Sequence, residues 1–199
     1  MKSMIKDAMI LFAITVIAGV LLGGVYQLTK EPIAASEEAA KVAACNAVFS
    51  EASSFDELDG FDIEEANAII AADYPGDEIE GALVAKSSTG ESLGYVITVK
   101  SHEGYGGDIV FMMGITNDGI LNGISLLAIS ETAGLGMQAG DVLVPQFTNK
   151  DVMYFTYTKN GSASESEIDA ISGATITTNA VVNGVNSGLT YANTLIGGE

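Results

Sequence analysis

The sequence predicts an α+β protein: one N-terminal transmembrane helix followed by an antiparallel sheet packed with helices. Three observations predict it. Residues 8–29 form a charge-free run of 22 residues. Two stretches of alternating apolar residues, each broken by a short Gly-containing turn, follow in series between Ile79 and Ile129. The last twenty residues then carry an apolar stripe close to the 3.6-residue period.

The anchor comes first. At 1.5 Å per residue, 22 helical residues span about 33 Å, enough to cross a hydrocarbon core of roughly 30 Å. The apolar region of a cleaved signal peptide is shorter, about 7–15 residues, so a retained anchor is expected. Lys2 and Lys6 precede the run, whereas Lys30 is followed by Glu31, Glu37 and Glu38; the positive-inside rule then puts the N-terminus in the cytoplasm and the acidic remainder outside. Gly19, Gly23 and Gly24 fall near one helical face and suit contact with another transmembrane helix.

Pro32 is expected to end this run, with a juxtamembrane helix opening at Ser36-Glu37-Glu38 and reaching about Ser50. A further helix is expected over 63–72, stopped by Tyr74-Pro75-Gly76. Strands are expected near Leu83-Val84-Ala85 and over 93–99, joined by a turn in which Gly90 takes a positive φ, and again over 109–115 and 120–129 around Asn117-Asp118-Gly119. The final helix is expected over 177–196, with Val181, Val182, Val185, Leu189, Ala192, Leu195 and Ile196 on one stripe and Gly197-Gly198 as its C-cap. Gly184 and Gly188 inside that helix cost about 1 kcal/mol each relative to Ala, which implies close contact with the sheet. The expected organisation is an anchor at 1–30, a juxtamembrane helical segment at 31–77 and the main domain at 78–199.

Composition narrows the function. The 199 residues hold 26 acidic and 8 basic side chains, for a net charge of −18, and every basic residue is Lys. Such a chain repels nucleic acid and anionic lipid headgroups, and it lacks the guanidinium fork that clamps phosphate. The single cysteine, Cys45, excludes an intramolecular disulfide and any multi-Cys metal or iron–sulfur site. With Val42, Ala43, Ala44, Ala47 and Val48 around it, it reads as a buried structural thiol. The one histidine, His102, lies between two strand patterns and reads as a surface residue.

The chemically informative stretch is Asp169-Ala170-Ile171-Ser172-Gly173-Ala174-Thr175, just before the last helix. Ser172, Gly173 and Ala174 let another body approach the backbone where a helix begins, and Thr175 offers a hydroxyl there. A helix N-terminus presents unpaired N–H groups and the positive end of the macrodipole, which favours an anion such as phosphate. The same residue types also make an ordinary N-cap, and spacing alone leaves both readings open. Two other backbone-approachable loops occur, Gly104-Tyr105-Gly106-Gly107 and Ser130-Glu131-Thr132-Ala133-Gly134-Leu135-Gly136. Either is an ordinary tight turn when taken alone.

Asp169-x-x-Ser172-Gly173-Ala174-Thr175 resembles the flavinylation motif of the FMN-binding domain family, found in the G subunit of the Rnf complex and the C subunit of the sodium-translocating NADH:quinone reductase. The two glycine loops resemble further signatures of that family, although Ala133 stands where the family usually has Pro and Ser130 where it often has His. The resemblance implies an FMN held covalently through a phosphoester to Thr175, made by a dedicated flavin transferase. It implies clearance for the phosphate at Ser172, Gly173 and Ala174, amide stabilisation near Ile176, Thr177 and Thr178, and an orienting or recognition role for Asp169. Glu131, Thr132, Leu135, Gly136 and Tyr105 would border the isoalloxazine ring. A covalent ester suits an acidic chain, since retention no longer depends on affinity for a free phosphate dianion.

The short chain favours the Rnf relative over the quinone reductase one. The resemblance then implies a bacterial cell-membrane protein with its FMN domain on the extracytoplasmic face. It would relay electrons among flavin and iron–sulfur carriers of a ferredoxin:NAD oxidoreductase coupled to ion export, with no independent catalytic site. One rival is a cofactor-free, membrane-tethered binding or assembly module in which 172–175 is only a cap. Another, a surface hydrolase, is disfavoured because His102 has no plausible Ser partner and no Gly-x-Ser-x-Gly elbow occurs.

Overall fold

The computed structural model describes residues 2–197, with side chains for 4–197. The chain divides into two compact units, one up to Ala40 and one from Lys41 onward. Helix α1 (Lys2–Val48) contains the apolar run. Among the described residues it is the one helix long and apolar enough to cross a membrane, and Met4 to Leu28 present exposed Met, Ile, Leu, Phe and Val side chains along it.

In the second unit the strands β1 (Ser54–Glu57), β2 (Asp77–Lys86), β3 (Ser92–Ser101), β4 (Ile109–Thr116) and β5 (Leu121–Ala128) form one antiparallel sheet in the order β1-β2-β3-β4-β5. The two expected hairpins are β2-β3 and β4-β5, and their turns carry Gly90 at φ +85° and Gly119 at φ +83°. A β-bulge in β2 shifts the register between Ile79, opposite Val99, and Gly81, opposite Thr98. The extra residue reverses the alternation, so Ile79, Ala82 and Val84 all face the same core.

That core lies under helix α4 (Thr175–Gly197) and helix α2 (Ile63–Ile70), and includes Ile97, Val99, Phe111, Met113, Val181, Val185 and Leu189. The two helical glycines have the reason expected of them. A Cβ on Gly184 would stand 3.0 Å from the Phe111 ring, and one on Gly188 would strike the Met113 sulfur. A second, smaller core fills the other sheet face, where Ala44, Cys45, Val48 and Phe49 cover Ala85, Val96 and Met112. Cys45 is buried there, its Sγ 3.8 Å from Met112 Sδ.

Beyond β5 the chain turns through a 3-10 helix (Gly136–Gln138), the short helix α3 (Ala139–Val142) and a second 3-10 helix (Val144–Phe147). Strands β6 (Thr156–Thr158) and β7 (Glu167–Asp169) then form a two-stranded parallel sheet. Asn186 of α4 fixes its entry, accepting from Phe155 N–H at 2.7 Å and donating to Phe155 C=O at 2.9 Å.

Three sequence expectations need correction. Pro32 does not end the first helix, and the separate juxtamembrane helix from Ser36 is instead the continuation of α1 to Val48. Proline removes one backbone hydrogen bond and crowds one carbonyl, and Ala34, Ala35, Glu37, Glu38, Ala39 and Ala40 behind it are strong helix formers that carry the helix past that defect. The segment expected to be helical over 63–72 keeps its helix only to Ile70, after which Asp73 and Tyr74 N–H groups turn back onto Ile70 C=O. The last helix begins at Thr175 rather than 177 and includes Gly197; the other half of the expected cap, Gly198, lies outside the described residues.

Candidate functional site

Every position of the 169–175 segment has a local physical role. Asp169 ends β7, and Ala170 N–H donates to Thr158 C=O of β6 at 2.8 Å. Ile171 is buried and anchors the following turn. That turn closes with Ala174 N–H on Ile171 C=O at 3.0 Å, and its third residue, Gly173, sits at φ +76°, where a side chain is disfavoured. A Cβ there would also come within 3.2 Å of Leu135 Cδ2. Ser172 and Gly173 are exposed, Ala174 is buried, and Thr175 is half-buried as the first residue of α4. Thr178 locks the turn to the helix: its hydroxyl accepts from Ile171 N–H at 3.1 Å and donates to Ala174 C=O at 3.0 Å. The first intrahelical bond runs from Thr178 N–H to Ala174 C=O, so the Thr178 amide, contrary to expectation, is already taken, and the amides of Thr175, Ile176 and Thr177 are the ones without helical acceptors.

Glu131 joins the two glycine loops to this helix start. Its Oε1 accepts from Gly106 N–H at 3.1 Å and its Oε2 accepts from the buried Thr177 hydroxyl at 2.9 Å. Three of the glycines around it leave no room for a side chain. A Cβ on Gly104 would run into Gly107 C=O and lie 2.8 Å from Glu131 Oε1, and one on Gly136 would lie 2.5 Å from Thr177 Oγ1 and 2.7 Å from Glu131 Cβ. A Cβ on Gly106 would run into Ser130 C=O. In the loop that carries Ala133, Thr132 C=O accepts from Leu135 N–H at 3.1 Å and Met137 N–H at 3.3 Å, which holds the turn in place.

The structure thus brings together Glu131, Gly136, Thr177, Gly173 and Leu135 through these contacts, with Ser172, Ala174, Thr175 and Ile176 adjoining along the chain. Tyr105, between two of the glycines, is 70% exposed, Ile176 53% and Leu135 39%, so three large apolar groups are open to solvent at this end of α4. Thr132 is exposed beside Glu131. Asp169 does not share these contacts: its carboxylate accepts from Ser162 Oγ at 3.4 Å, and its backbone is bonded to the Gln146 side chain.

Three contributors escaped sequence reading. Thr178 is indistinguishable from its neighbour Thr177 in sequence, yet one closes the turn and the other binds Glu131. Asn183 Nδ2 donates to Glu103 Oε2 at 2.7 Å, tying the start of the 104–107 loop to α4. Gln146, treated below, sits in a 3-10 helix that no periodicity announces. Beside the loop, His102 is exposed, with Nδ1 2.9 Å from Asp108 Oδ1 and Nε2 3.5 Å from Glu78 Oε2, and the hydrogen bond to Asp108 leads the causes that raise its pKa.

A sheet backed by a C-terminal helix, with glycine loops gathered at that helix's start, is the architecture of an FMN-binding domain, and the family of that name matches residues 104–190. Residues 1–48 match the RnfG N-terminal region. Over 187 residues the chain is 32% identical to the G subunit of the Na(+)-translocating ferredoxin:NAD(+) oxidoreductase complex of Acetobacterium woodii, covering 93% of this chain and 89% of that one. It is 28% identical to the G subunit of the proton-translocating complex of Clostridium ljungdahlii, covering 98% of each. The chain belongs to the G-subunit family of Rnf-type ion-translocating ferredoxin:NAD(+) oxidoreductase complexes. Among solved structures, the C subunit of the Na(+)-translocating NADH-quinone reductase from Parabacteroides distasonis superimposes with a TM-score of 0.50 at 19% identity, covering 68% of each chain, a likeness of fold.

The residues present fit a flavin phosphate. The half-buried Thr175 hydroxyl stands beside unpaired helix-start amides, the exposed Ser172 and Gly173 leave its approach open, and exposed apolar side chains flank it. The protein is a membrane-anchored electron-transfer subunit with an FMN-binding domain.

Proposed function

We propose that Thr175 carries FMN through a phosphoester, and that the protein relays electrons between other flavin and iron–sulfur carriers of its Rnf complex from the extracytoplasmic face of the cell membrane. The observation that carries the reading is the placement of Thr175 at the first position of α4, at the end of a turn whose exposed residues are Ser172 and Gly173. FMN supplies one- and two-electron redox chemistry when bound. The chain supplies position and field. Outward amides of Thr175, Ile176 and Thr177 stabilise the remaining phosphate charge, while Leu135, Tyr105 and Ile176 offer apolar surface beside it. Glu131, Thr132 and Gly136 shape the neighbouring wall. The acidic surface disfavours added negative charge, which lowers the potential of a bound carrier.

Attachment needs a partner enzyme and an activated donor. Thr175 Oγ forms the new O–P bond to the FMN phosphorus of a flavin-containing phosphoanhydride, and the anhydride P–O bond breaks. A nucleoside monophosphate leaves, and the hydroxyl proton passes to base. A flavin transferase is the expected catalyst, and Asp169, with its carboxylate turned to solvent, is a recognition element for it.

Flavin fluorescence of the denatured protein band tests the linkage: the wild type from cells containing the transferase glows and Thr175→Ala is dark. A dark wild-type band favours the cofactor-free module; a bright Thr175→Ala band moves the linkage to another hydroxyl. The flanking charges and the acidic domain support a cytoplasmic N-terminus. Alkaline phosphatase fused to the C-terminus should be active in intact cells, and an inactive fusion would reverse that orientation.

A further inference from the structure

We infer that Gln146 is a positioning residue for the modification of Thr175, acting as a side-chain surrogate for a missing third strand beside β7. The inference rests on the reading of Thr175 as the attachment point. In the parallel pair β6-β7, Ala170 N–H is directed at β6, so the N–H and C=O of the preceding residue, Asp169, point the opposite way. No strand lies on that side of the two-stranded sheet among the described residues. The Gln146 amide fills the gap: its Oε1 accepts from Asp169 N–H at 2.7 Å and its Nε2 donates to Asp169 C=O at 3.1 Å. The same Nε2 also donates to Val142 C=O at 2.7 Å, which fixes the amide plane. Leu143 and Phe147, both fully buried on either side of Gln146, root the turn that carries it.

The consequence concerns the whole motif. Asp169 is its first residue and Thr175 its last, and the bonds at the two ends of the segment set their separation. Downstream, the Thr178 hydroxyl ties Ile171 and Ala174 to the helix. Upstream, Gln146 is what ties the backbone of Asp169 to the 136–147 turns, and on the Asp169 side it does so through main-chain atoms alone. The Asp169 carboxylate is therefore left facing outward, with Ser162 Oγ as a distant neighbour at 3.4 Å. An acceptor hydroxyl and a recognition carboxylate are held at one spacing, and a transfer step that depends on orientation responds steeply to such a constraint.

Elsewhere the chain uses the same device, which supplies a control. Asn67 Oδ1 accepts from Ile79 N–H at 2.8 Å and its Nδ2 donates to Ile79 C=O at 3.2 Å, on α2 and β2 and with no bond to the motif. The experiment uses the full chain in detergent, purified flavin transferase and flavin adenine dinucleotide, and reads the initial rate of fluorescence gain in the denatured protein band. Gln146→Met keeps the length and removes both bonds to Asp169; Asn67→Leu removes the corresponding pair from Ile79. The expected result is a rate lower by about tenfold or more for Gln146→Met, with Asn67→Leu at the wild-type rate and the two variants melting at similar temperatures. Gln146→Glu keeps the polar character and the acceptor but loses the donor, sets a carboxylate against Asp169 C=O, and is expected to be slowed as well. It provides the measurement if the methionine variant does not fold. Gln146 variants that load at the wild-type rate, or an Asn67→Leu variant slowed equally, overturn the inference. A wild type that takes up no flavin, or a Thr175→Ala variant that does, overturns the attachment reading instead.

Discussion

Asp77→Asn is expected to stabilise the folded domain by about 3 kcal/mol at pH 8 and to leave it nearly unchanged at pH 4. Asp77 opens β2 opposite Ser101 and is 9% exposed. Burial lifts its pKa from 3.8 to about 6; the Ser101 hydroxyl opposes the shift, Glu103 adds to it and His102 opposes it. A folded value above the unfolded one means that the native state holds the proton more tightly. The stabilisation from protonation is complete below pH 3.8 and is lost as pH rises through about 6. At 1.36 kcal/mol per pH unit, the interval from 3.8 to about 6 amounts to about 3 kcal/mol that the charged form forfeits, and asparagine removes the charge.

Urea unfolding of the full chain in detergent, followed by circular dichroism at several pH values between 4 and 8, measures this as a difference between wild type and variant. His102, its pKa raised first by Asp108, is present in both proteins, and its interaction with Asp77 is part of the difference measured. A gap that does not widen with pH, or a variant less stable than wild type at pH 8, would refute the argument.

Four further variants test the packing. Glu131→Ala should lose its bonds to the Gly106 amide and the Thr177 hydroxyl, costing about 2 kcal/mol or more and lowering flavin loading in the gel assay. Glu131→Gln should keep Gly106 bonded, let the Thr177 hydroxyl accept instead of donate, load normally, and raise the flavin midpoint potential in a redox titration. Gly136→Ala should mimic Glu131→Ala in loading, because its Cβ would displace Thr177 Oγ1 from Glu131. Gly184→Ala should be net destabilising in thermal melts by up to about 2 kcal/mol, since crowding the Phe111 ring costs about 1–3 kcal/mol against a helix-propensity gain of about 1 kcal/mol.

How much of this could be read from sequence depended on whether a feature was local. The hairpins, the stripe of α4 and the close approach at Gly184 and Gly188 each rest on periodicity or on one residue's geometry, and all were legible. Strand β1 was not, because Ser54-Phe55-Asp56-Glu57 is an edge with one apolar side chain, and its pairing with Leu83 to Lys86 decides its conformation. Strands β6 and β7 are three residues each, too short for any period to register. Pro32 misled because a single breaker was weighed against its own turn and not against the Ala-rich run behind it. At the site, the motif and both glycine loops stand out in sequence, but the bonds from Glu131 to Gly106 and Thr177 do not, because they join residues 25 to 46 positions apart.

The strands of the large sheet lie side by side in the order in which they leave the ribosome. Each can pair with its predecessor as it emerges, a topology of short-range contacts that folds readily. The helix that begins with Thr175 is the last of these elements to be synthesised, and it must return across β2, β3 and β4 to close the core. Until it docks, the turn at 171–174 has no helix to lean on and Glu131 has no Thr177 to hold. On the proposed attachment, the Thr175 hydroxyl reaches its final geometry only once that helix has emerged and settled, so chains stopped short of it would be excluded from maturation by their topology.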